Sequence, residues 1–356
     1  MATSDFAETD FEGAPSRLAI DPQAVARNYK RLAALTKAEC GAAVKADAYG
    51  LGMAEIAPHL AKVGCRTFCV ALVSEGLALR RLLPDATIYI LNGVFDPPAA
   101  REAGLIPFIS SLDALDAWPD DLPFVLNIDT GMNRLGVALP DALQVTRRPV
   151  MIASHFACAD TPHHPLNALQ ESAFRAARSA FKDVPASFAN SAALLTRPQS
   201  HYDLVRPGIA LYGGTASPDL APLEVAVRLE ARIVQVREVE TGDSVGYGAA
   251  ERVRRASRIA IASLGYADGY LRAAGGTNET NGAPVFVNGH ITRLVGRVSM
   301  DLVALDVTDI AAKRGDYVEF IGRNVPLETV AQKDGTIGYE LLTDLSRRAV
   351  RRYGPL

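Results

Sequence analysis

Residues 43–52, AVKADAYGLG, decide the fold. Ala42, Ala43 and Val44 make an apolar run of the length of a buried strand, and Gly50 and Gly52 mark a tight turn after it. Lys45 therefore stands where that strand ends, with its stem leaving the core. Desolvation at such a place lowers an amine's proton affinity and makes it nucleophilic. A lysine that merely carries its stem out to solvent fits the same position. The residues further along decide between the two.

Working outward, short β-rich runs follow at 68–72 (FCVAL), 86–91 (ATIYIL), 106–110 (IPFIS), 124–128 (FVLNI), 150–154 (VMIAS), 186–189 (ASFA) and 209–212 (IALY, preceded by Leu204 and Val205). Helix-like segments separate most of them, among them 53–63, 74–83 and 165–181. With the strand before Lys45 these form eight strand-then-helix units over roughly 200 residues. An α/β fold of that kind fits a closed (β/α)8 TIM barrel better than an open doubly wound sheet, which stays the alternative. Upstream, Asp21 and Pro22 give a helix cap and a first-turn proline, and Val25, Tyr29, Leu32 and Thr36 recur at helical spacing.

Near Pro222 the texture changes. Residues 223–239, LEVAVRLEARIVQVREV, alternate, and further strands are predicted at 258–262, 284–287, 290–294, 302–305 and 317–321. The expected organisation is a mobile N-terminal arm over 1–16, a barrel over 17–222, and a mainly β C-terminal domain over 223–356. That domain closes with a helix over 337–352 whose basic last turn suits the helix dipole.

The 356 residues are 49% hydrophobic and 22% charged, an ordinary globular composition, and the net charge of −3 gives no reason to expect nucleic acid or an anionic membrane. The four cysteines are too few for a disulfide scaffold and lack zinc-finger spacing. The first sixteen residues are acidic, without the order of a signal peptide, and no apolar run approaches the ~20 residues that span a bilayer. The expectation is a cytoplasmic protein.

In a barrel, catalytic groups stand at the C-terminal ends of several strands. Lys45 follows the first strand, Asp129 to Arg134 the fifth, His155 ends the sixth, Asn190 and Ser191 the seventh, and Arg206, Pro207 and Gly208 enter the eighth. Scattered polar residues would not pick one rim five times. Ser191 before a small-residue helix, and the amides of Gly208 and Ile209, could cradle a phosphate, although each alone also reads as a helix cap or turn. His155 lies near Asp160, His163 and His164, but the spacing suits no metal, and none is expected. A lysine, a phosphate cradle and an arginine on one rim suggest a pyridoxal 5'-phosphate Schiff base.

VKADAYGLG, DTGMNRLG, SHFACAD, NSAA, VRPGIALYG, VGYGA, GYADGY, GRVSMD and TIGYEL occur in the order and spacing of the alanine racemase family, from Leu18 to Tyr353. The chain resembles that family, whose members are homodimers of a (β/α)8 barrel and a β-rich domain and bind pyridoxal phosphate. The resemblance implies that Lys45 carries the cofactor and is one catalytic base, with Tyr247 of the partner subunit as the other. It implies Tyr49, Asn190, Ser191, Gly208, Ile209 and Tyr339 around the phosphate, and Arg206, backed by His155, facing the pyridine nitrogen. Arg134 and Met300 of the partner subunit would contact the substrate carboxylate, and Asp160, Tyr266, Arg272 and Arg297 would form a narrow corridor restricting substrates to small amino acids.

One position departs from the family pattern. Many members carry a carbamylated lysine two residues before the aspartate of DTGM, and here that residue is Asn127. An amide forms no carbamate, so Arg134 must be held otherwise, by Asn127 itself or by a bound anion. The expected activity is interconversion of L- and D-alanine for cell-wall metabolism. The alternatives are a racemase of broader range, a pyridoxal-phosphate homeostasis protein, or a cofactor-free Schiff-base lyase. The β domain and Tyr247 argue against the second.

Overall fold

Gly41 interrupts the strand on which the first unit closes. In the computed structural model, which describes residues 8–215 and 223–356, Glu39–Cys40 and Ala42–Ala43 flank it as one short strand. Glu39–Cys40 pairs with Leu204–Val205, and Ala42–Ala43 pairs with Thr67–Val70. Between these run Thr87–Ile90, Leu105–Ile109, Val125–Asp129, Met151–Ala153 and Ala186–Ser187, each parallel to the next. The ten ladder segments reduce to eight, because residues 39–43 count once and Val137–Ala138 lies off the ring. The ring is therefore a (β/α)8 barrel rather than a doubly wound sheet. A Cβ at residue 41 would stand 3.2 Å from the Thr67 carbonyl, a tight approach at the seam.

Strands covered on both faces should be apolar throughout. Accordingly Phe68, Val70, Ile88, Ile90, Val125, Leu126 and Ile152 are all fully buried. Helices Met53–Lys62, Val73–Leu82, Pro97–Glu102, Leu112–Ala117, Pro165–Ala180 and Ser191–Thr196 connect them. Pro165–Ala180 buries Asn167, Gln170, Glu171, Phe174 and Ala177, a single stripe at helical spacing. Residues 209–212, expected as the eighth strand, instead form the 3-10 turn Ile209–Tyr212, and the strand is Leu204–Val205. The amides of Gly208 and Ala210 turn to the Ser191 hydroxyl and leave no ladder to extend.

The second unit joins residues up to 24 with 225–356, while the first spans 25–224. Its main sheet runs His290–Arg293, Pro284–Val287, Tyr317–Ile321, Val227–Val239, Ser16–Ile20, Val350–Tyr353. Val227–Val239 changes partners along its length. Its first half pairs with Ser16–Ile20 and Tyr317–Ile321, and from Ile233 onward, through a bulge between Ile233 and Gln235, it pairs with Ser257–Ala262. Val303–Asp306 pairs with Ser257–Ala262 on the other side.

Three expectations change here. Residues 17–24 belong with the C-terminal unit and not with the barrel, because Ser16–Ile20 finds one partner about 210 residues downstream and the other about 330. The N-terminal arm is, in its described part, a helix Glu8–Gly13 whose Phe11 is buried beneath the guanidinium groups of Arg17 and Arg352. Residues 1–7 of that arm, and 216–222 next to the boundary expected at Pro222, lie outside the described residues. The terminal helix is shorter than expected. Gly338–Asp344 is helical, but the chain then turns and Val350–Tyr353 runs parallel to Arg17–Ile20 as an edge strand. A helix Leu327–Asp334, not anticipated, precedes it. No helix among the described residues is long and apolar enough to cross a membrane.

Candidate active site

After Lys45 the backbone takes four successive left-handed residues, Ala46, Asp47, Ala48 and Tyr49, with φ between 53° and 58°. For L-residues this conformation costs about 1–2 kcal/mol each, so roughly 4–8 kcal/mol must be offset by surrounding contacts. The contacts are present. Ala48 N donates to Val44 O at 2.9 Å, Gly50 N to Ala46 O at 2.7 Å and Gly52 N to Asp47 O at 2.8 Å. Asp47 Oδ1 accepts Met53 N at 2.8 Å, and Glu75 Oε1 accepts Ala46 N at 2.7 Å. The Tyr49 ring lies 4.8 Å from that of Tyr212, whose hydroxyl donates to Ala43 O.

The turn delivers Tyr49 to Gly208, where a Cβ would stand 2.1 Å from the tyrosine hydroxyl. Ser191 Oγ accepts Gly208 N at 2.8 Å and Ala210 N at 3.4 Å, and Asn190 Oδ1 caps the following helix through Ala193 N. Two hydroxyls and two backbone amides thus converge beside the buried Ile209. Such a concentration of donors suits an anion.

Arg206 is buried without a facing carboxylate among the described residues. Its Nη2 donates to Ser154 O at 2.7 Å, its Nη1 to Ser187 Oγ, and the guanidinium lies 5.6 Å from the centre of the Phe108 ring. Burial lowers its proton affinity, although a guanidinium keeps its proton in any protein. Burial, followed by the charges of Arg206, Arg134 and Lys45, pushes His155 down to about 3, so its imidazole is neutral. Lys45 is half-buried, and its amine makes no hydrogen bond or ion pair with the described residues. Burial first and Arg134 second lower its proton affinity, with Glu75 and Cys69 opposing them.

Arg134 ends a turn in which Asp129 Oδ1 accepts the amides of Gly131, Met132 and Asn133. Asn127, expected as a possible holder of Arg134, donates instead to Ser110 Oγ at 3.0 Å. The barrel rim thereby unites Lys45, Tyr49, Arg134, His155, Asn190, Ser191, Arg206, Gly208 and Ile209. Asp160, exposed on the loop after the sixth strand, makes no hydrogen bond or ion pair to that group.

The β unit carries a second group. Tyr247, 70% exposed, sits on a turn between Gly246 and Gly248, and the Arg297 guanidinium lies against Gly248. Tyr266 N donates to Ser299 O and Ala267 N to Met300 O, which brings Tyr266 beside Met300. Tyr247, Tyr266 and Met300 are all exposed. Arg272, on the short turn Arg272–Ala274, and Tyr339, on Gly338–Asp344, belong to the same unit.

Two family models match almost end to end: the alanine racemase N-terminal domain over residues 20–216 and the alanine racemase C-terminal domain over 226–353. The chain belongs to the alanine racemase family. Among relatives in the family, the biosynthetic alanine racemase of Agrobacterium fabrum is 44% identical, with 97% of this chain and 96% of that protein covered. The alanine racemase of Rhizobium meliloti is 45% identical, covering 97% and 98%. The alanine racemase of Bartonella henselae, solved with covalently bound pyridoxal phosphate, superposes with a TM-score of 0.89 at 37% identity, covering 96% of this chain and 99% of that one. The biosynthetic alanine racemase of Pseudomonas aeruginosa gives 0.88 at 37% identity, covering 96% and 99%.

Several residues of this family member's rim carry no sequence signal. The Ser187 hydroxyl, on Ala186–Ser187, and the Ser154 carbonyl, just past Met151–Ala153, hold Arg206. Gln170 bridges Thr130 Oγ1 and the His155 carbonyl while accepting Ala157 N. Tyr212 and Glu75 brace the left-handed turn from distant elements. Only an acidic residue in a helix's first turn hinted at Glu75.

Proposed function

We propose that this protein is a pyridoxal-phosphate-dependent alanine racemase, interconverting L- and D-alanine. The observation that carries the reading is the unpaired, half-buried amine of Lys45 on the barrel rim, next to a cradle with the donors a phosphate needs. The residues fit the cofactor: glycine at 208 leaves the Tyr49 hydroxyl its place, and the buried Arg206 suits a neutral ring acceptor. When bound, pyridoxal phosphate supplies the electron sink that makes an amino acid's Cα–H acidic.

In this reading Lys45 anchors the cofactor, while Tyr49, Asn190, Ser191, Gly208, Ile209 and Tyr339 hold its phosphate. Arg206, backed by the neutral His155, donates a hydrogen bond without giving up a proton, so it leaves its acceptor uncharged. Arg134 binds the substrate carboxylate together with Met300 of the partner subunit. Lys45 moves a proton at one face of Cα and Tyr247 of the partner subunit moves one at the other, as inversion requires. Asp160, Tyr266, Arg272 and Arg297 line a corridor that admits small amino acids. The active form is a cytoplasmic homodimer with shared sites that supplies or consumes D-alanine for the cell wall.

Chiral chromatography of alanine and serine after incubation with the cofactor-loaded protein tests the reading. The expected result is racemisation of alanine, abolished together with the cofactor's visible absorbance in Lys45→Ala. Persistence of both in that variant would overturn it.

A further inference from the structure

We propose that Glu75 is a positioning residue for Lys45, clamping the left-handed turn that carries the lysine. The inference rests on the reading of Lys45 as the cofactor-bearing residue. Glu75 lies in the first turn of Val73–Leu82, where a carboxylate ordinarily caps its own helix. Oε2 does this, accepting Ala71 N at 2.7 Å and Leu72 N at 3.1 Å. Capping needs no more than that oxygen. Oε1 turns the other way and accepts Ala46 N at 2.7 Å, from the residue after Lys45 in the turn that leaves the neighbouring strand. One side chain therefore ties together the C-terminal ends of two adjacent barrel strands.

The tie falls where the backbone is under most strain. Ala46 is the first of the four left-handed residues, and such a run persists only where its surroundings over-determine it. Without an acceptor for its amide, the segment between Lys45 and Tyr49 can relax toward the right-handed basin. That would carry the amine and the Tyr49 hydroxyl away from Gly208. Glu75 is also the one carboxylate that acts on the Lys45 amine among the described residues, against burial and Arg134. Glutamine at this position keeps an acceptor for one side of the tie but not for both, and it removes the charge.

The experiment compares full-length wild type, Glu75→Gln and Glu75→Ala without cofactor. Hydrogen–deuterium exchange over residues 44–52 should accelerate about tenfold or more in Glu75→Ala and less in Glu75→Gln. Competitive acylation of Lys45 across pH, located by peptide mapping, should move to lower pH in both variants. In the loaded enzymes kcat should fall more than KM rises. A role confined to helix capping predicts faster exchange only over 71–76 and an unmoved Lys45 profile, and that pattern would overturn the proposal. Borohydride trapping of the wild-type holoenzyme checks the other reading separately. Cofactor found off Lys45 would refute the racemase assignment, while the cofactor-free exchange still reports on the clamp.

Discussion

Residue 208 has room for a hydrogen and nothing larger, since a Cβ would meet the Tyr49 hydroxyl at 2.1 Å. Gly208→Ala should displace the tyrosine and raise the dissociation constant for pyridoxal phosphate about tenfold or more, as equilibrium dialysis would measure, with the circular dichroism spectrum unchanged. Two buried titratable groups make opposite predictions about pH. His155 refuses its proton down to about 3, whereas the unfolded chain takes it up near 6.5. The folded state therefore loses stability as pH falls below about 6.5. Its NMR signal should not titrate between pH 5 and 8. Asp334, at the C-terminal end of Leu327–Asp334, has both carboxylate oxygens buried without a donor among the described residues, and burial pushes it up to about 7. There the folded state holds the proton longer than the unfolded chain, so stability declines as pH rises from about 4 to 7. Asp334→Asn should be more stable than wild type by roughly 1–2 kcal/mol at pH 8, a figure discounted for partial exposure, and by almost nothing at pH 4.

At the scale of elements, the left-handed turn separates what sequence could and could not say. AVKADAYGLG reads plainly as a strand and a turn because its apolar run and its glycines are local signals. The handedness is not legible, since alanine and tyrosine disfavour it and one aspartate does not signal a run of four, and Glu75, Tyr212 and Gly208 impose it from distant elements. Ala46 is exposed, so Ala46→Gly should relieve its strain at no packing cost and raise stability by about 0.5–1 kcal/mol in thermal unfolding. Ala48→Gly relieves the same strain but empties a fully buried site, and should gain less. The rim residues were readable because strand ends are fixed by composition. Three elements escaped because their partners are remote. SRLAI, at Ser16–Ile20, has a strand's pattern only once Val227–Val239 and Val350–Tyr353 flank it. The basic end of the chain looks like a helix's last turn until that pairing makes it a strand. IALY has strand composition, but Ser191 draws its leading amides away.

At the scale of the whole molecule, the exposed Tyr247, Tyr266 and Met300 bear on assembly. If sites are shared between subunits, neither Lys45→Ala nor Tyr247→Phe alone should be active. A one-to-one mixture after subunit exchange should recover about a quarter of wild-type turnover, because half the dimers then hold one intact site. No recovery after proven exchange would exclude sharing. The β unit is discontinuous, with one inner strand at Ser16–Ile20, between Val227–Val239 and Val350–Tyr353, and its other strands beyond residue 225. Deleting residues 1–21 should therefore make the distant 226–356 region sensitive to protease while the 25–224 region resists. The same layout sets an order in time. A ribosome adding about 5–20 residues per second leaves the first strand without neighbours for roughly 10–40 seconds, long enough for the intervening barrel to form first. The opening strand must survive that wait as a tethered, unpaired ribbon, so a chaperone that shields it during translation would govern the yield of finished enzyme.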